Sequence, residues 1–340
     1  MTEKQYGGNT GRGTGGKSIK NIKTINNSKQ IRAKNEQKKF EHNEANLNTN
    51  KEKIIQAGKI ASQVRKFAKA IIKKDVSLLE IAEKIENKIR ELGGKPAFPT
   101  NLSTNEIAAH CTPSYNDESK ASGLLKIDFG IHVDGHIADT AFSIDLENSE
   151  LNSKLIRAVE ESLNSAKNTI KNNVLTSEIG KAIQRAIESN GFSPIINLSG
   201  HEIGEYNLHA GLTIPNIDDK NKNAIKKGLY AIEPFSTNGS GKVRDGKPSG
   251  IYMLTNTKAP RSQTAREILE YIFKEYQTLP FCSRWLIKKF GVKVIFGLKE
   301  LEQNGNLHQY AQLIEAGNGV VAQAEHTFLV EENEAIVTTE

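Results

Sequence analysis

The stretch that most constrains the fold is residues 124–145, an apolar, β-branched segment with an Asp-Gly pair near its centre. The pair lies within Val133-Asp134-Gly135-His136, and Asp-Gly is the preferred centre of a two-residue type I′ turn. The segment therefore predicts a β-hairpin in which the two residues that flank Asp-Gly face each other. Because side chains alternate along strands, this register also decides which residues share a face.

In this register Asp128 lies opposite Ala141, and Asp139 lies two residues further along on the same face. The two carboxylates are then diagonal neighbours, whose backbones are about 7–8 Å apart. Like charges this close on an apolar face are unfavourable unless a cation lies between them. One alternative is that one Asp faces solvent at a strand end. The other is a metal platform, which requires further ligands from the rest of the chain.

Length and composition restrict the classes of protein to which this chain can belong. A chain of 340 residues can hold one large domain or two small ones. No run of 18 apolar residues occurs, so no transmembrane helix is expected. The only cysteines, Cys111 and Cys282, are too few for a disulfide framework or a zinc ribbon, and they favour a reducing, cytoplasmic location.

Residues 1–48 are rich in Gly, Asn and Lys and poor in apolar residues, which predicts a disordered basic tail. Residues 1–50 contain ten Lys and Arg and four Asp and Glu, which accounts for the whole net charge of +6. Gly11–Ser18 matches the phosphate-loop pattern, but it lacks the preceding strand and following helix that such a loop needs. We interpret the tail as a solubilising extension, with weak contact to ribosomal RNA as the alternative.

Helical patterns occur in three places. Residues 51–92 predict two helices, the second capped by Asp75 or Ser77 and ended by Gly93-Gly94. Two more amphipathic segments follow at about 152–172 and 176–189.

An insertion at about 258–306 has helical periodicity, a strand-like VKVIF at 292–296 and a helical LKELEQ at 298–303. A winged-helix module that binds nucleic acid is one interpretation of this pattern. The insertion lacks a concentrated basic face, so we expect it to pack on the rest of the protein.

Two later apolar strands each contain one acid, Glu233 within 228–235 and Glu325 within 320–330. Either acid alone could pair with an arginine. His201 and His209 lie eight residues apart among glycines, whereas His110 is alone between apolar neighbours, where a histidine is more often a core residue.

Four acids and one histidine now stand on or beside apolar strands: Asp128, Asp139, His201, Glu233 and Glu325. This oxygen-rich, thiol-free set suits two divalent ions of the Mn, Fe(II), Co or Zn kind. Two such ions share bridging carboxylates and lower the pKa of a bridging water. The implied chemistry is hydrolysis without a covalent enzyme intermediate.

The order and context of these residues resemble type II methionine aminopeptidases, of the pita-bread fold shared with prolidase and creatinase. The matching segments are PAFPT at 96–100, AAHCTP at 108–113, KIDFGIHVDGHIADTAF at 126–142, NLSGHEIGEYNLHAG at 197–211, AIEPF at 231–235 and AEHTFLV at 324–330. The resemblance runs from about Lys51 to the C-terminus, so we predict a catalytic domain at 49–340.

The resemblance implies a role for each ligand. Asp128 looks like the chelating ligand of one metal, and Asp139 and Glu325 look like bridging ligands. His201 and Glu233 look like ligands of the other metal, and Glu233 is also a candidate proton shuttle.

The resemblance also implies substrate contacts. His110 corresponds to a histidine near the scissile peptide, and His209 to one that contacts the peptide carbonyl. The residues that fall where the family builds its methionine pocket are Phe98, Leu208, Ile251 and Tyr310.

The fold implied is α/β, a curved antiparallel sheet with outer helices, metals inside and a helical type II insertion. The function implied is removal of the initiator methionine from nascent proteins with a small second residue, by a monomeric cytoplasmic enzyme. An X-Pro dipeptidase or aminopeptidase of the same fold is one alternative. A non-enzymatic relative that binds RNA or a protein partner is the other.

Overall fold

The computed structural model describes residues 50–340, which contain seven helices and sixteen strands. The predicted tail, residues 1–48, lies outside the described residues. The helices are α1 (50–71), α2 (Leu78–Glu91), α3 (Glu150–Lys167), α4 (Thr176–Ser189), α5 (Gln263–Glu275), α6 (Ser283–Phe290) and α7 (Val294–Gln303).

The strands are mostly short, and every pairing between them is antiparallel. They are β1 (Lys95–Pro96), β2 (Asn101–Thr104), β3 (Ile107–Ala109), β4 (Leu124–Val133), β5 (His136–Asp145), β6 (Ser193–Pro194), β7 (Ser199–Ile203), β8 (Thr213–Pro215), β9 (Gly228–Ile232), β10 (Phe235–Thr237), β11 (Val243–Leu254), β12 (Phe281–Cys282), β13 (Leu307–Glu315), β14 (Val321–Gln323), β15 (His326–Val330) and β16 (Ala335–Val337).

The predicted hairpin forms with the predicted register. Asp134 and Gly135 form the turn with φ of +48° and +88°, the left-handed values that a type I′ turn requires. β4 and β5 pair over their full length, and Asp128 lies opposite Ala141. The side-chain alternation therefore places Asp128 and Asp139 on one face, as the sequence predicted.

Helix pairs cover the sheets from outside. α1 and α2 bury their apolar faces against β2, β4 and β5. α3 and α4 share a second core with β9, β14 and β15. Of the two predicted caps of α2, Asp75 and Ser77, the cap is Ser77, whose hydroxyl accepts a hydrogen bond from the Glu80 amide. The helix ends before Gly93, which has a φ of +87°.

The predicted strands around Glu233 and Glu325 are each divided in two, which corrects the single-strand prediction. β9 pairs with β15 in one sheet, whereas β10 pairs with β14 in another. Glu233 lies between β9 and β10 and is followed by Pro234, which has no N–H to continue a ladder. Glu325 lies between β14 and β15, because its amide donates instead to the Ala141 carbonyl of β5 at 3.0 Å. Both acids therefore lie where the chain crosses between sheets.

The insertion contains α5, β12, α6 and α7, and its apolar core includes residues of β11 and β13. The strand predicted at 292–296 is wrong, because Val294 begins α7. Val294, Leu298 and Leu301 are buried at helical spacing, so burial on α5 and α6 overrides the β-propensity of the Val-Ile pair. Residues Glu52–Glu340 form one compact unit. No helix within residues 50–340 combines the length and apolar character needed to cross a bilayer.

Candidate metal centre and active site

Five elements bring the predicted ligands to one place. Asp128 and Asp139 project from the β4–β5 hairpin, His201 from β7, and Glu233 and Glu325 from the two sheet crossings. All five line a cavity of about 290 Å³. Because residues up to about 200 positions apart converge there, only the tertiary fold can assemble this set.

The ligand atoms lie close together. His201 Nε2 is 3.7 Å from Asp139 Oδ2 and 3.8 Å from Glu233 Oε1. Asp139, His201 and Glu325 are all buried, and each offers one ligand atom within 4.8 Å of those of the other two. Such spacing allows all three to contact one ion.

The electrostatics of the bare site are unfavourable for four carboxylates. Burial raises the pKa of Asp128 to about 7, although a hydrogen bond from Gln323 partly opposes this rise. Burial and the charges of neighbouring carboxylates raise the pKa values of Asp139 and Glu325 well above their usual range, and burial with the charge of Asp128 does the same for Glu233. Burial lowers the pKa of His201 to about 3, which leaves a neutral imidazole as a potential ligand.

Two buried carboxylate oxygens indicate that the site fits a cation. Asp128 Oδ1 and Asp139 Oδ1 are buried, and neither has a hydrogen-bond partner within residues 50–340. Buried, unpartnered carboxylate oxygens are costly unless an ion binds them. The residues present therefore fit a divalent cation held by oxygen and imidazole ligands.

A second layer of hydrogen bonds holds the ligands, and sequence reasoning missed it. Thr327 Oγ1 accepts from the Asp139 amide at 2.7 Å and donates to the Asp139 carbonyl at 2.8 Å. Thr140 Oγ1 donates to the Glu325 carbonyl at 3.0 Å, and Gln323 Nε2 donates to Glu233 Oε2 at 3.4 Å. These residues lie inside or beside the motifs, so proximity to a ligand was the available sequence signal.

Both predicted substrate histidines line the same cavity. His110 has a φ of +57°, and its Nδ1 lies 3.3 Å from the Ala311 carbonyl. Burial lowers the pKa of His110 to about 4, which keeps its ring neutral. The His209 ring contacts the His201 ring edge-on, with 4.4 Å between centroids.

The four predicted pocket residues, Phe98, Leu208, Ile251 and Tyr310, also line this cavity. The Tyr310 ring lies 5.2 Å from that of His110, and its hydroxyl donates to Met253 Sδ at 3.3 Å. Lining residues that the sequence did not suggest are Pro99, Asn101, Ala109, Asn197, Leu198, Ser199, Gly211, Leu212, Thr213, Phe235, Pro280 and Leu313. Most lie within or next to a motif, whereas Pro280 lies in the insertion and has no local signal.

Comparison with known proteins agrees with this geometry. Residues 52–332 match the model of metallopeptidase family M24. The chain belongs to metallopeptidase family M24. An M24 relative, the methionine aminopeptidase of Methanocaldococcus jannaschii, is 47% identical over 291 residues, which cover 85% of this chain and 98% of the relative.

Solved structures show the same M24 pita-bread fold. A thermophilic Arx1 superposes with a TM-score of 0.74 at 17% identity, over 84% of this chain and 89% of that one. The methionine aminopeptidase of Thermotoga maritima superposes with a TM-score of 0.62 at 22% identity, over 85% of this chain and 96% of that one. The predicted fold, a curved antiparallel sheet with outer helices, is confirmed.

Proposed function

We propose that this M24 chain is a methionyl aminopeptidase that removes the initiator methionine from nascent proteins with a small second residue. The observation that carries this proposal is the cavity. It brings five metal-ligand candidates, two neutral histidines and four apolar residues to one place. The identity of 47% to a methionine aminopeptidase over nearly its full length supports the same function.

Two divalent ions of the Mn, Fe(II), Co or Zn kind suit the donor set. We propose that Asp128 would hold one ion, that His201 and Glu233 would hold the other, and that Asp139 and Glu325 would be ligands shared by both. When bound, such ions supply a water of lowered pKa and polarise the scissile carbonyl. The raised pKa values of the four carboxyl groups support this assignment, because bound cations would offset the cost of burying their charges and the repulsion among them.

The protein's own groups move the proton. Glu233 is half-buried at the cavity wall, and Gln323 donates to one of its carboxylate oxygens, which holds the side chain in place. We assign Glu233 as the base that takes a proton from the attacking water and passes it to the leaving amine. Its raised pKa suits a group that both accepts and returns a proton near neutral pH.

The histidines orient the peptide. The Ala311 carbonyl can only accept, so His110 carries its proton on Nδ1 and leaves Nε2 to accept the substrate peptide N–H. We assign His209, whose ring contacts that of His201, as the donor to the carbonyl oxygen as charge develops there. Phe98, Leu208, Ile251 and Tyr310 offer an apolar surface for an unbranched methionine side chain.

The decisive experiment measures methionine release from Met-Ala-Ser and Met-Lys-Ser with metal-stripped protein, before and after Mn or Co is added. We expect metal-dependent cleavage of the first peptide and not of the second. Ala-Pro is the third substrate, because an X-Pro peptidase of this fold would hydrolyse it and leave Met-Ala-Ser intact. Absence of turnover with every metal would support a non-enzymatic binding protein instead.

Two variants on the hairpin complete this test. Asp139→Asn removes a proposed bridging ligand and is expected to abolish turnover. Asp134→Asn, at the exposed turn of the same hairpin, is the matched control and is expected to keep full turnover, since Asn-Gly also suits a type I′ turn. Full activity of Asp139→Asn would overturn the mechanism.

We further expect the protein to be a monomer that acts in the cytoplasm on the N-termini of nascent proteins.

A further inference from the structure

A buried ion pair joins the insertion to the body of the protein. Glu86 of α2 and Arg284 of α6 are 2% and 1% exposed. Arg284 makes two parallel hydrogen bonds, Nη1 to Glu86 Oε2 at 2.8 Å and Nη2 to Glu86 Oε1 at 2.7 Å. Trp285 Nε1 also donates to Glu86 Oε2 at 2.8 Å. The forked geometry fixes both side chains in direction as well as distance.

The same pair holds two segments that have no regular secondary structure, residues 97–100 and 110–114. Glu86 Oε1 accepts from the Thr100 amide at 3.3 Å. Arg284 Nε donates to the Pro113 carbonyl at 3.1 Å, and its Nη2 lies 3.4 Å from Thr112 Oγ1. Each segment is thus attached to the ion pair by its backbone.

A further bond ties the two segments to each other, because Thr112 Oγ1 donates to the Thr100 carbonyl at 2.8 Å. Both segments contribute residues to the cavity lining: Phe98 and Pro99 lie on the first segment, and His110 begins the second. Hydrogen bonds that converge on Glu86 and Arg284 therefore contribute to the positions of both segments beside the cavity. His110 depends on this support in particular, since its left-handed φ of +57° is unfavourable for a non-glycine residue.

Stability alone does not explain such a pair. Desolvation of two charges offsets most of their attraction, and well-packed apolar residues can replace a buried pair without loss of stability. An apolar replacement could not, however, bind Thr100, Thr112 and Pro113 in fixed directions. The contacts of the pair therefore favour a geometric role over a purely stabilising one.

We propose that Glu86 and Arg284 are a positioning pair that sets the separation of Phe98 and His110 and so determines selectivity for the N-terminal side chain. This inference rests on the proposed aminopeptidase function. The pair touches neither the substrate nor the proposed metal ligands. It acts through the two segments that line the cavity.

The test measures kcat/KM for Met-Ala-Ser and Leu-Ala-Ser with metal-loaded protein and compares their ratio between variants. Arg284→Lys keeps the charge but loses the fork and the bonds to Thr112 and Pro113. Thr112→Val keeps the ion pair and the side-chain shape but removes the bond between the segments. Methionine and leucine side chains have the same number of non-hydrogen atoms and differ in branching, so this ratio reports the shape of the pocket. A single methylene in an apolar pocket is worth about 10- to 200-fold in selectivity, and for this smaller difference in shape we expect the ratio to fall about fivefold or more in both variants.

The matched control is Lys288→Met. Lys288 and Glu83 form an ion pair between the same two helices at 2.8 Å, in which the lysine is exposed and the glutamate is half-buried. Within residues 50–340, this ion pair has no hydrogen bond to either wall segment. We expect this variant to keep the wild-type ratio.

Tryptophan fluorescence gives a second measurement. Trp285 is the chain's only tryptophan and donates to Glu86, so its fluorescence reports on the surroundings of Glu86. We expect the emission to shift in Arg284→Lys but not in Lys288→Met.

The ratio is informative because it does not depend on the folded fraction of a preparation. If Arg284→Lys fails to fold, Thr112→Val decides the question alone. Ratios within twofold of wild type in the folded variants overturn the positioning role, while cleavage of Met-Ala-Ser by wild type leaves the proposed function standing. A wild-type protein that cleaves no methionyl peptide overturns the proposed function itself.

Discussion

Replacing Asp128 by Asn should stabilise the metal-free protein, although it removes a proposed metal ligand. In the metal-free state burial raises the pKa of Asp128 from 3.8 to about 7. The folded state then binds a proton that the unfolded chain has lost, so stability falls as pH rises from about 4 to 7. Asparagine has nearly the same shape and carries no charge at any of these pH values, so the variant does not lose this stability as the pH rises.

The magnitude follows from the same pKa values. Each tenfold change in proton affinity is worth 1.4 kcal/mol, so the charged folded state loses at most about 4 kcal/mol at neutral pH. Asp128 is half-buried, and solvent screening reduces this to about 2 kcal/mol. For a unit of this size that corresponds to a rise in Tm of about 4–8 °C.

The assay is thermal unfolding at pH 7.5 of wild type, Asp128→Asn and the turn control Asp134→Asn. Each protein is measured once with EDTA and once with Mn. We expect Asp128→Asn to exceed wild type in EDTA and to gain less than wild type from Mn, because ligand binding stabilises only the protein that binds it. Asp134→Asn should match wild type in both conditions. An Asp128→Asn protein less stable than wild type in EDTA would refute the idea that burial of the charged Asp128 carboxylate destabilises the metal-free protein.

Three further predictions concern single residues. Glu233→Gln should lower kcat for Met-Ala-Ser at least about 100-fold in the metal-loaded enzyme, since the amide cannot accept the water proton; an unchanged kcat would exclude the shuttle role. Glu315 accepts hydrogen bonds from Ser240 and from the Gly241, Gly317 and Gly319 amides, so Glu315→Gln should lower the free energy of unfolding by about 2–4 kcal/mol, measured by urea unfolding. An unchanged free energy of unfolding would show that the glutamine amide replaces the carboxylate without loss. Burial lowers the pKa of His132 to about 4, so stability should fall by up to about 3 kcal/mol as pH drops from 6.5 to 4; His132→Asn should lessen this loss in Tm measurements.

Local chemistry explains why the hairpin could be predicted in detail. The Asp-Gly turn and the alternation of side chains depend on neighbouring residues only, and together they set the full β4–β5 register. The same holds for the cap of α2 at Ser77 and its end before Gly93. Wherever local signals agreed with one another, the structure followed them.

Two features escaped local reasoning for a shared physical reason. The strands around Glu233 and Glu325 divide because their partners lie in different sheets, and no neighbour in sequence specifies those partners. Val294 begins a helix because α5 and α6 bury its apolar face, which outweighs the β-propensity of its own segment.

The sequence by itself predicted which residues would come together, and all eleven predicted residues line one cavity. Their proposed roles rest on the resemblance and on the chemistry of that cavity. Only the tertiary structure decided how the cavity is held, because the Glu86–Arg284 contact joins residues 198 positions apart. Contacts at that separation depend on how the whole chain packs, and a buried charge pair leaves no periodic pattern from which it could be inferred.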